Sequence, residues 1–223
     1  MFDFSQDYQQ PSPLLEQLSP KVRKCLLSRS QKKSFTRGQT ICLQDEPCRS
    51  LKIVLEGWVK LYRVSPSGHE AMLAMLTSGQ SFDEIWALRG APSAANVEAV
   101  SDCEILFLDI SAVCACHNAM HEIAVAVLSA ASSHLHEMMH EVEELKVLTG
   151  YERLCNFLVR LSGKQGGQSR LELPFDKVVL ASMLGMKPES LSRAFGKLRH
   201  IGVESEYKSV IIHDLERLRS VVA

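Results

Sequence analysis

The stretch Asp176-Lys-Val-Val-Leu-Ala-Ser-Met-Leu-Gly185-Met-Lys-Pro188-Glu-Ser-Leu-Ser-Arg193-Ala-Phe-Gly-Lys-Leu-Arg199 decides how the chain is read. Asp176 suits a helix N-cap, Gly185 the left-handed stop after a helix, and Pro188 the first turn of the next helix. Two helices separated by so sharp a break precede Gly202-Val-Glu-Ser-Glu-Tyr-Lys-Ser-Val-Ile-Ile212, which alternates about a polar centre as a β-hairpin does. Helix, tight turn, helix, hairpin is the order of a winged helix-turn-helix. On the second helix Glu189, Ser192 and Arg193 stand at i, i+3 and i+4 and share a face, while Leu191, Phe195 and Leu198 turn toward the core. The polar trio occupies the part of the helix that enters the major groove in this motif. Arg193 can bond guanine bidentately, Glu189 can accept from cytosine N4, and Ser192 can bond a base or a phosphate. Lys187, Ser190, Lys197, Arg199 and the wing residue Lys208 are candidate phosphate contacts. A solvated face tied by a Glu189–Arg193 ion pair would use the same residues, at a few tenths of a kcal/mol. The helix-turn-helix setting favours base reading.

Upstream, no Gly or Pro interrupts residues 118–148. Leu128, Ala131, Leu135, Met138, Val142, Leu145 and Thr149 step by alternating threes and fours, the seam of a two-stranded coiled coil, flanked by Glu137, Glu141, Glu143 and Glu144. Such a stripe can also pack on its own domain, but its length and its 3.5-residue repeat favour a second subunit. Still earlier, Leu51-Lys-Ile-Val-Leu-Glu, Trp58-Val-Lys-Leu-Tyr-Arg-Val and His69-Glu-Ala-Met-Leu-Ala-Met-Leu are strand-like runs separated by Gly57 and by Ser65-Pro-Ser-Gly68. They point to an antiparallel sandwich or barrel. The expected organisation is an α+β chain: a strand-rich domain with short N-terminal helices over 1–117, a dimerisation helix over 118–149 and a winged helix-turn-helix over 150–223.

The net charge of −1 looks unsuited to a DNA binder. Its distribution corrects that, because twelve Lys and Arg stand against eight Asp and Glu from Gly150 onward. Affinity for phosphates follows local charge rather than the chain's sum. No basic start leads into an apolar run and no uncharged run of membrane-spanning length occurs, so a cytoplasmic protein with no membrane partner is expected. The seven cysteines are scattered, and Cys114-x-Cys116 has no partner pair, which disfavours disulfides and a structural zinc site. Neither a Gly-rich phosphate loop nor a nucleophile elbow is present, and an enzyme is not expected.

These residues together resemble the CRP/FNR superfamily of bacterial transcription regulators over nearly the whole chain, from about Leu14 to Leu218. The resemblance implies a cyclic-nucleotide-binding-like antiparallel β-barrel (jelly roll), a dimerisation helix and a winged helix that binds double-stranded DNA as a homodimer. RNA polymerase is a further partner if the chain activates. The Glu-x-x-Ser-Arg pattern at Glu189, Ser192 and Arg193 is that of the FNR-like branches, and implies a palindrome with TTGAT-type half-sites. With Pro188 in front it is most similar to the Dnr/Nnr-type regulators of denitrification, which respond to nitric oxide through haem.

In cyclic-nucleotide-binding relatives a Gly-Glu pair and an Arg form the phosphate cassette. Here Glu84 matches the ribose-binding Glu, Asp83 replaces the Gly, and Ser93 aligns with the Arg. Phe82, Asp83, Glu84, Arg89 and Ser93 are therefore the candidate effector pocket. A carboxylate where an anion needs a cation disfavours cyclic nucleotide, although Arg89 could swing in. An iron–sulfur cluster is disfavoured because Cys25 alone precedes residue 40. Haem is the cofactor the resemblance implies, with axial candidates His117, His121, His134, His136 and His140; the i, i+4 pair His136 and His140 could also hold a metal. The residues do not identify the effector.

Overall fold

The computed structural model describes residues 12–110, 117–166 and 169–221. Cys114, Cys116 and the side chain of His117 lie outside the described residues. The chain divides into two compact units, one running to His136 and the other from Glu137.

In the first unit, eight strands form two antiparallel sheets. One has the order β1 (Gln31–Phe35), β8 (Cys103–Asp109), β3 (Ser50–Glu56), β6 (Ser81–Phe82). The other has β2 (Thr40–Cys42), β7 (Asn96–Ala99), β4 (Trp58–Val64), β5 (Glu70–Thr77). The expected barrel is thus an open sandwich. Among the described residues no strand of one sheet pairs with a strand of the other, because β6 and β2 are too short to carry a ladder around the edge. Between the sheets the inward side chains Val54, Val59, Leu76, Phe82, Val97, Ala99 and Ile105 make one apolar core. Gly57, at φ +85°, turns β3 into β4 where an added Cβ would stand 2.3 Å from the Asp102 carbonyl oxygen. Only glycine fits there.

A second core lies on the outer face of β3 and β8. There α1 (Pro13–Glu16), α2 (Pro20–Leu27) and the start of α4 (His117–Val147) bury Leu15, Leu26, Leu51, Ile53, Leu108, Ile123 and Ala126. Between β6 and β7 the short helix α3 (Glu84–Arg89) follows Asp83, whose backbone is left-handed at φ 61°. Further along α4 the apolar side chains come out. Leu128 is 66% and Leu135 60% exposed, and Met138, Val142 and Leu145 are about as open. Of the expected seam only Ala131 is half-covered.

The second unit holds α5 (Gly150–Lys164), α6 (Lys177–Met183), α7 (Pro188–Leu198), α8 (Leu215–Arg219) and a wing of antiparallel strands in the order β10 (Val203–Ser205), β11 (Ser209–Ile212), β9 (Arg170–Glu172). A capping box opens α5: Glu152 N donates to Thr149 Oγ1 at 3.3 Å, and Thr149 N to Glu152 Oε2 at 2.7 Å. Leu154, Leu158, Leu180, Leu191, Leu198 and Val210 form its core. Asp176 takes the N-cap backbone of α6 without a side-chain cap bond, Gly185 ends that helix at φ +60°, and Pro188 opens α7. No helix among the described residues is long and apolar enough to cross a membrane.

Candidate nucleic-acid interface and sensor pocket

The outer face of α7 is the polar one. Leu191, Ala194, Phe195 and Leu198 are buried against the unit's core, which turns Glu189, Ser192 and Arg193 outward together. Arg193 Nη2 reaches Ser190 Oγ at 3.3 Å rather than Glu189, so the Glu189–Arg193 ion pair is not what organises this face. Beside α7 opens a cleft of about 830 Å³ whose lining includes Arg153, Lys187, Ser190, Arg193 and Lys197 and no carboxylate. Four cations on one concavity suit a phosphate backbone. Arg199 is exposed at the end of α7, and Lys208 at the tip of the hairpin, next to Tyr207, which is 84% exposed.

Arg153 was not expected at this interface. Its Nε donates to the Leu184 carbonyl at 2.9 Å and its Nη1 to the Leu148 carbonyl at 2.6 Å. One guanidinium thus holds the end of α6 and the residue just past the end of α4. Glu144, one of the expected flanks of the seam, is buried: Arg160 holds it at 3.0 and 3.3 Å, and Asn156 donates at 3.3 Å.

In the first unit Asp83 and Ser93, ten residues apart, meet: Ser93 Oγ donates to Asp83 Oδ1 at 2.9 Å. On the other oxygen sits Lys52 Nζ at 2.7 Å, with both side chains 7% exposed. Lys52 Nζ also donates to the Ser50 carbonyl at 3.2 Å, and Cys48 Sγ and Cys42 Sγ each lie 3.7 Å from one member of the pair. Burial alone would lower the lysine's pKa; the charge and hydrogen bond of Asp83 outweigh it and raise the pKa above the usual value. Burial, and then the Asp83 charge, push the Cys42 thiol up to about 12. Arg89 does not supply the cation; it is exposed at the end of α3. Lys52 was missed, although a lysine inside Leu51-Lys-Ile-Val54 was a visible signal.

Glu84 is 6% exposed, and its Oε1 has no hydrogen-bond partner. His134 Nδ1, from α4, is 3.9 Å away. No zinc-protease motif was expected, but the stretch His136-Glu-Met-Met-His140, passed over in sequence, spells HExxH. It gathers no third ligand: among the described residues no group of three His, Cys, Asp or Glu could hold a metal ion. The nitrogens of His140 face Glu143 and Glu144 at 3.9 and 3.5 Å.

Residues 32–117 match the cyclic nucleotide-binding domain family and residues 152–221 the Crp-like helix-turn-helix domain family. A proposed cAMP-binding regulatory protein from Silicibacter pomeroyi DSS-3, of solved structure, is 36% identical with TM-score 0.69, covering 95% of this chain and 94% of that one. The chain belongs to the CRP/FNR family of transcription regulators. A CRP-like cAMP-activated global transcriptional regulator of Mycobacterium tuberculosis is 24% identical over 92% of this chain and 94% of its own length. The fold is shared with FixK2 from Bradyrhizobium japonicum, TM-score 0.74 at 21% identity, over 87% of this chain and 98% of that one. As a CRP/FNR member the chain is a DNA-binding regulator and not an enzyme, and the outward face of α7 lies within its matched helix-turn-helix domain.

Proposed function

We propose that the chain works as a homodimer that reads a palindrome of TTGAT-type half-sites through Glu189, Ser192 and Arg193. An effector in the pocket around residues 82–93 governs it, and RNA polymerase is a further partner where it activates. The observation that carries this reading is the outward trio on α7, with its apolar side buried and a carboxylate-free cationic cleft alongside. The exposed stripe from Leu128 to Leu145 supplies the pairing surface. Two reading helices must meet successive major grooves about 34 Å apart, so a shift in how two such helices pack would switch DNA binding.

The test is titration of operator and scrambled DNA. Arg193→Ala should lose about 1–3 kcal/mol on the operator and relax one base pair, whereas Lys197→Ala should weaken both DNAs alike and lower the salt slope. Equal loss on both DNAs for Arg193→Ala would remove it from base reading.

Haem fits these residues poorly. It carries two propionates and asks for an apolar slot with an imidazole nitrogen open to iron. The pocket instead presents two buried carboxylates, Asp83 and Glu84, and His134 faces one of them. The effector proposed for this pocket is therefore not haem. Anaerobic haem titration should give no stoichiometric Soret band; a sharp band that moves with nitric oxide would restore the gas-sensing reading.

A further inference from the structure

We propose that Asp83 fills the sensor's anion seat with the chain's own carboxylate, and that the buried, unpartnered acceptor beside it, Glu84 Oε1, takes a small ligand that donates a hydrogen bond and carries no negative charge. The inference rests on the reading of residues 82–93 as the effector pocket, and it names the ligand class that pocket accepts.

The cluster is complete in itself. Asp83 Oδ1 receives Ser93 Oγ and Oδ2 receives Lys52 Nζ, while Lys52 uses its remaining reach on the Ser50 carbonyl and Cys48. No uncommitted cation is left in the cluster. An entering phosphate would meet a carboxylate in a poorly solvated interior, where like charges repel most strongly. It would have to expel Asp83 and leave that charge without its lysine. Asp83 is locally suited to its post, because Asp is among the few side chains that tolerate a left-handed backbone such as its φ of 61°.

Glu84 is the opposite case. A buried carboxylate oxygen without a donor is costly, and native proteins rarely leave one so. Glu84 Oε1 is such an oxygen, and His134 Nδ1 at 3.9 Å is too far to be its hydrogen bond. A hydroxyl or amine placed there donates to Glu84, and a hydroxyl can also accept from the imidazole. The ligand then touches α3 and α4 together, within the first unit. Since α4 also carries the exposed stripe, occupancy at Glu84 has a direct path to helix pairing.

Two arms test this on the full chain. In the first, cyclic AMP is titrated into wild type and Asp83→Gly/Ser93→Arg by calorimetry. Wild type should show no saturable binding, and the double variant, with Lys52 freed and an arginine added, should gain at least about tenfold in affinity. Saturable wild-type binding, or a folded double variant with no gain, overturns the filled seat. In the second arm, the His134 ring resonances are followed by NMR with adenosine, glycerol and ethanolamine, and then with inorganic phosphate and acetate. At least one probe of the first set should move them in wild type and not in Glu84→Gln. Movement by the anions alone, or by no probe, overturns the ligand assignment. Operator titration of the same samples reads the regulator separately, so its failure cannot be mistaken for failure of the pocket.

Discussion

Replacing Lys52 by Met keeps the length of the side chain and removes its charge from a pair that is 7% exposed on both sides. Asp83 would keep Ser93 and the weak Cys42 thiol as donors and lose its counter-charge. Removing one partner of a buried pair costs about 3–5 kcal/mol, because the charge left behind is uncompensated. Asp83→Gly should cost somewhat less, since glycine relieves a left-handed backbone worth of order 1 kcal/mol or more. The double variant should cost well under the sum of the two, with a coupling energy of more than about 2 kcal/mol. Urea unfolding followed by tryptophan fluorescence measures this selectively, because both tryptophans, Trp58 and Trp86, lie in the first unit. The pH sign follows from the raised pKa of Lys52. Its stabilisation is fully present below the unfolded lysine value of 10.5 and fades only as pH rises through the higher folded value, so it should not vary across neutral pH. A Lys52→Met cost below about 1 kcal/mol, the range of a surface pair, would show that the cluster is solvated and would refute the argument.

The thiols offer a second check. Among the described cysteines, Ellman's reagent at neutral pH should label exposed Cys25 first, while Cys42, held up near 12 by burial and then Asp83, and Cys103 and Cys155, held up near 11 mainly by burial, wait for unfolding; Cys42 reacting as fast as Cys25 would contradict the closed cluster. The stripe of the proposed dimer offers another. Leu135→Asp in the exposed stripe should shift sedimentation from dimer to monomer and lower operator affinity at least about tenfold, and an unchanged dimer would place the interface elsewhere.

The helix-turn-helix was readable because its signals are local. Gly185 and Pro188 act within a few residues of the breaks they make, and the 3.6-residue period of α7 sorts Leu191 and Phe195 from Glu189 and Arg193 without reference to anything distant. The exposed stripe on α4 was readable for the same reason. The i, i+4 pair His136 and His140 shows the limit of such reading, since a metal site needs further ligands that local spacing does not bring, and among the described residues none joins them.

The cluster around Asp83 shows the same limit more sharply. Asp83 and Ser93 stood out in sequence only as replacements, and nothing near them announced Lys52, thirty-one residues earlier. The pair exists because β3 and β6 run antiparallel in the register that sets Lys52 against Phe82, which brings the next residue, Asp83, to the lysine's end. Likewise, Arg153 reads as one more cation on an amphipathic helix until the fold brings the Leu184 and Leu148 carbonyls to it. Sequence by itself determined the α+β class, the winged helix-turn-helix, the outward polar face of α7 and the long apolar stripe of α4, because periodicity and caps act over one or two turns. Tertiary structure alone decided that the sheets stay open, that Lys52 neutralises Asp83 and that Glu84 is left without a donor. Those outcomes depend on strand register and burial, which bring together residues that the chain itself keeps far apart.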